Sequence, residues 1–135
     1  MTKLFLALAC STALLAGCDN SRDRAEDKLE ADAEASAVAA GPTIAALGLT
    51  EMQILNADLL GANGIDLGDV EAVLKGPDGK VDRLLVEVGD SNPDKFVAVP
   101  VAGLAVIRQG DDIDLSSEMT RAELMALPAE PIPRP

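Results

Sequence analysis

Residues 68–89 read GDVEAVLKGPDGKVDRLLVEVG, and the reading of this stretch decides the fold. Val70, Ala72 and Leu74 alternate with Asp69 and Glu71, the period of a half-buried strand, and Leu84, Val86 and Val88 alternate in the same way with Arg83 and Glu87. KGPDGK lies between the two runs. Pro77 suits the second position of a type I turn, Asp78 follows it, and Gly79 can adopt a positive φ. Two strands about such a turn predict a β-hairpin.

Working outward, KFVAVP (95–100) predicts a third strand after the loop from Gly89 to Asp94. Leu104–Arg108 and Ile113–Leu115 flank Gln109, Gly110, Asp111 and Asp112 as another hairpin. Leu49–Leu55 predicts a short helix capped by Thr50, and Thr120 with Glu123 forms a capping box for a helix over RAELMAL. Short strands at this spacing predict a mainly β domain, a small barrel or sandwich with a short C-terminal helix. Closure into a barrel is expected because it removes the exposed edges that recruit other chains.

Before the domain, residues 21–40 (SRDRAEDKLEADAEASAVAA) are rich in alanine and charge and poor in large apolar side chains. They predict a flexible or partly helical, mostly solvated tether. Arg22 and Glu26 form an attractive pair one turn apart, and Gly41 and Pro42 end the segment. An amphipathic membrane-surface helix would set Lys and Arg opposite Leu or Phe, whereas acidic residues dominate here.

At the start of the chain, Lys3 precedes an apolar run from Leu4 to Leu15, followed by Ala16, Gly17 and Cys18. The run is shorter than the ~20 residues a spanning helix needs and has the form of a secretory signal. Leu15, Ala16, Gly17 and Cys18 resemble the lipobox of bacterial lipoproteins, which implies lipidation of Cys18 and loss of residues 1–17. The alternative is an ordinary signal peptide with an incidental cysteine. The expected localisation is a membrane-anchored lipoprotein facing the periplasm of the cell envelope. Asp19 and Asn20 resemble a signal that retains such proteins in the inner membrane.

Processing would remove Lys3 and Cys10, leaving 10 Lys and Arg against 23 Asp and Glu, a net charge of −13. A surface this acidic repels phosphate backbones, and Phe96 alone would remain as an aromatic on which a base could stack, so a nucleic-acid partner is excluded. The chain has no His to activate a Ser or Cys nucleophile. Carboxylate pairs such as Asp66 with Asp69, or Asp111 with Asp112, are the remaining acid-base candidates, in a chain short of the aromatics that line small-molecule pockets. A calcium loop could be drawn through Asp112, Asp114, Ser116 and Glu123, but Ser117 occupies the position that requires Gly. The reading is a non-enzymatic chain with no catalytic residue, metal, cofactor or small-molecule substrate.

GDVEAVLKGPDGKVDRLLVEVG, FVAVPVAGLAV and LSSEMTRAELMALP together resemble the PRC-barrel domain over roughly Asn56–Pro128. The resemblance implies a small all-β barrel used for docking and assembly. Two features depart from it: DSNPD replaces a Gly-rich loop with an aromatic, and LLGANGIDLGD is short. The expected organisation is a signal peptide at 1–17, a lipidated N-terminus and acidic Ala-rich tether at 18–42, a lead-in at 43–55, the PRC-barrel-like domain at 56–128, and a Pro-rich tail at 129–135. The expected function is a non-catalytic, membrane-tethered module that docks or scaffolds another envelope protein. The alternative is an acidic envelope-stabilising or cation-binding lipoprotein without a specific partner. Hot spots favour Trp, Tyr and Arg, and this chain has neither Trp nor Tyr. Arg83 and Arg108 are therefore the candidate partner-binding residues, and Arg121, between Glu118 and Glu123, is expected to be solvated.

Overall fold

The computed structural model describes residues 20–132; Cys18 and the expected signal peptide lie outside them. The chain is mainly β. Its elements run α1 (Asn20–Ala40), β1 (Ile44–Ala46), β2 (Leu49–Thr50), α2 (Glu51–Leu55), β3 (Asp58–Leu60), β4 (Asp66–Lys75), β5 (Val81–Val88), β6 (Phe96–Pro100), β7 (Leu104–Gln109), β8 (Asp112–Ser117) and α3 (Arg121–Ala126). β1 and β2 form a small hairpin, and the other strands form one six-stranded sheet in the order β6-β5-β4-β3-β8-β7.

The quoted stretch forms the central hairpin, β4 antiparallel to β5. Its turn closes through the Gly79 amide donating to the Gly76 carbonyl at 3.0 Å, with Gly79 at φ 77°. The two short helices start where the capping residues place them. Gln53 N–H donates to Thr50 Oγ1 at 3.2 Å while the Gln53 side chain accepts from the Thr50 amide at 3.0 Å, and Thr120 and Glu123 repeat this reciprocal pattern. The calcium-loop segment is strand β8, and Glu123 accepts from the Thr120 amide at 2.8 Å and from its hydroxyl at 2.9 Å.

Leu59, Val70, Leu84, Val86, Val88, Val97, Val99, Leu104 and Leu115 pack with Ile54 and Leu124 into a single core. All six strands contribute to it, so the sheet curls around its own inner face. The ladder nevertheless stays open: β6 and β7 are both edges, which corrects the expectation of a closed barrel. Two local causes keep them apart. Pro100 ends β6 without an amide to donate, and the 3₁₀ turn Val101–Gly103 follows it at once. The outer side of β6 is also occupied, because Ala129 bridges Val97 and the Glu130 amide donates to the Phe96 carbonyl at 2.8 Å.

A second correction concerns β4. Strict alternation would put Val70, Ala72 and Leu74 on one face, but the register shifts between Val70, opposite Val86, and Ala72, opposite Leu85. The bulge at Glu71 sends Val70 into the main core, while Ala72 joins Leu85 and Phe96 in a separate cluster. Leu29 and Ala33 of α1 cover that second cluster. Ala25, Leu29, Ala33 and Ala37 recur every fourth residue, so they form one stripe on a helix of 3.6 residues per turn. Ala25 and Ala37 are buried while most of α1 faces solvent. The acidic segment is thus helical throughout its described length, and its small side chains bring the helix close to the sheet.

Candidate functional site

The bulge that splits the two apolar clusters also aims a carboxylate at α1. Glu71 is half-buried on the face that α1 covers, in a cleft of about 450 Å3 lined by Glu30, Glu34, Asp69 and Glu87. Glu26 and Glu30 each follow a stripe residue, Ala25 and Leu29, so the docking of α1 carries them toward the sheet. Burial pushes the Glu71 carboxyl up to about 7 from 4.5, and the negative charges of Glu30, Glu87, Asp69 and Glu26 add to the shift. Glu87 is raised in the same direction, first by burial and then by Asp94 and Glu26. Arg22 offsets part of this charge, with Nε 3.5 Å from Glu26 Oε1, a buried oxygen that has no hydrogen-bond partner among the described residues. On the neighbouring strand β3, Asp58 lies opposite Asp69 and is also raised, by burial and then by Asp69.

These shifts define a pH dependence. A carboxyl whose pKa is raised in the folded state contributes stability that is complete below its ordinary value and lost as pH rises through the folded value. For Glu71 that window runs from 4.5 to about 7. Its full effect is reduced by partial exposure, leaving about 2 kcal/mol. The Glu71→Gln variant is therefore expected to gain about 1–2 kcal/mol over the natural protein near pH 8 and little near pH 4. Urea midpoints of both proteins across this range check it. A constant difference at every pH would show that Glu71 titrates normally.

The three domain arginines are placed differently. Arg83, on β5, has Nε 3.4 Å from the neighbouring Asp82 carboxylate and is 44% exposed at its side chain. Arg108, on edge strand β7, is exposed, and no carboxylate lies within ion-pairing distance of it among the described residues. Strands β4, β3 and β8 separate the strands that carry these two residues, so the sheet does not join them into one patch. Arg121, expected to be solvated, instead acts as a clamp. Its guanidinium donates to the Gly89 carbonyl and, at 2.8 Å, to the Asp66 carbonyl, tying α3 to the start of β4 and the end of β5. Asp90 stands 3.8 Å away from it.

No family model matches this chain, and no curated protein matches it.

The two sheet edges differ in cover. β6 is flanked by the tail at Ala129 and Glu130, whereas β7 hydrogen-bonds to β8 alone among the described residues. The sequence marks β7 as a strand and Arg108 as its cation. The uncovered state of its outer edge arises only once strand order is known.

Proposed function

We propose that this protein is a non-catalytic, membrane-tethered module that docks an extended segment of another envelope protein. The observation that carries the reading is the outer edge of β7, unpaired among the described residues, with the exposed Arg108 near its end and no carboxylate of those residues within ion-pairing distance of it. An open edge offers a row of backbone donors and acceptors to an added strand, and a nearby cation selects among partners by charge. The resemblance of Asn56–Pro128 to the PRC-barrel domain, a docking and assembly fold, supports the same reading. The lipobox-like Leu15–Cys18 quartet supports a lipid tether at Cys18 and a periplasmic position.

Two variants on the edge test docking without touching the core. Arg108→Ala and Ala105→Lys both alter exposed β7 positions, and added edge lysines block strand addition. Each is expected to reduce recovery of the co-purifying protein from solubilised membranes while the melting temperature stays nearly constant. Full recovery with both variants, and with Arg83→Ala, would remove the β7 edge and the arginines as docking elements. Cys18→Ala tests the tether separately: the expected product is an uncleaved, unlipidated precursor. Normal processing and membrane retention of that variant would refute the lipid site.

A further inference from the structure

A second cleft, of about 900 Å3, opens where the start of α1, the β5–β6 loop and the tail after α3 meet. Its interior is mostly apolar. Ala25 and Phe96 are buried in its wall, Ile132 packs against the Phe96 cluster, and Met125 stands at the rim, 40% exposed. The two cations in the wall are occupied with backbone oxygens, Arg22 donating to the Asp94 carbonyl and Lys95 to the Met125 carbonyl. These bonds tie α1, the loop and α3 together around the opening. The volume falls within the ~300–1,000 Å3 of small-molecule sites, whose linings are likewise mainly apolar.

The chain's own sequence supplies an occupant. Ser21 lines the cleft, and Cys18 precedes it by only three residues, a reach of about 10 Å at full extension. Anything attached to the Cys18 sulfur is therefore tethered within about 10 Å of backbone from Ser21 in the cleft wall. We propose that this cleft seats one acyl chain of the lipid carried by Cys18. The inference rests on the lipidation proposed above. A seated chain exchanges bilayer contact for contact with Phe96, Ala25 and Ile132, and it holds the β domain with this cleft turned toward its anchor.

The test uses the full lipoprotein purified from membranes and reconstituted into phosphatidylcholine vesicles, with a photoreactive benzophenone amino acid in place of Met125. Met125 is exposed, and Ala129, also exposed, serves if the first replacement disturbs folding. Intact mass before irradiation reports whether Cys18 carries lipid. Its absence would remove the tether and the seated chain together and would be visible at this step. With lipid present, irradiation is expected to join the probe to the acyl chain on Cys18 of the same molecule, in a yield unaffected by diluting the protein in the vesicles. The same probe in place of Asp111, in the β7–β8 turn, is expected to give none of this product. Capture of vesicle phospholipid alone, of residues 4–15 of an uncleaved chain, or of another protein would overturn the proposal. So would the absence of any adduct from lipidated protein.

Discussion

Gly68→Ala is expected to destabilise the protein by more than about 4 kcal/mol, enough to prevent the β domain from folding. Gly68 pairs with Val88 at the base of the central hairpin and has φ 150°. A Cβ built there would lie 1.9 Å from the Glu87 carbonyl oxygen and 3.0 Å from the Gly89 nitrogen. Both are backbone atoms, so no side chain can swing aside to relieve the clash. The adjacent Leu67 carbonyl accepts from the Gly89 amide at 2.9 Å, and Asp66 Oδ1 accepts from the Gly68 amide at 2.9 Å. Separating the strands would break the first of these bonds, which crosses from the end of β5 to β4. Gly103→Ala is the matched control, since its Cβ would meet nothing within 4 Å, and its expected change is within about 0.5 kcal/mol. Urea unfolding of the two variants checks the contrast. A Gly68→Ala protein with the natural midpoint would mean that β4 and β5 do not approach in this way.

Removing α1 is the second large perturbation. A chain beginning at Thr43 is expected to unfold cooperatively, because the main core contains no residue of α1. It is also expected to lose roughly 2–4 kcal/mol, since Leu29 and the alanines of the stripe no longer cover Ala72, Leu85 and Phe96. The bared apolar face favours self-association. Denaturation midpoints and gel filtration measure the two effects. A monomer of unchanged stability would show that α1 does not dock on the sheet. In the full chain, Leu29→Asp isolates the stripe, with an expected loss in the same direction.

Much of this architecture is legible in the chain because local chemistry and tertiary placement agree. The turn at Pro77–Gly79, the capping boxes at Thr50 and Thr120, and the alternation of Leu84, Val86 and Val88 all specify structure from within a few residues. What escapes the sequence depends on distant partners or unusual local residues. The β1–β2 hairpin turns through Leu47 and Gly48, both at positive φ, and leucine is not a residue that signals such a turn. β3 is three residues long and takes its identity from β4 on one side and, in parallel, from β8 on the other. The α1 stripe is nearly all alanine, which has the composition of a solvated helix until the facing sheet is known. Glu71 occupies a polar position in an alternating pattern, and only the bulge turns it into a half-buried acid beside Glu30. Arg121 sits in an acidic sequence, yet its clamp partners are backbone carbonyls that composition cannot reveal.

Both ends of the described chain line one cleft, Ser21 and Arg22 from the start of α1 and Pro131 and Ile132 from the tail. That shared location sets the mechanical character of the molecule. Tension applied between the ends would act first on the Arg22–Asp94 and Glu130–Phe96 hydrogen bonds, in a peeling direction and one contact at a time. The β4–β5 ladder lies off this load path and would carry force only after α1 and the tail had lifted away. The protein is thus expected to yield early and softly at its ends while the curled sheet keeps its shape.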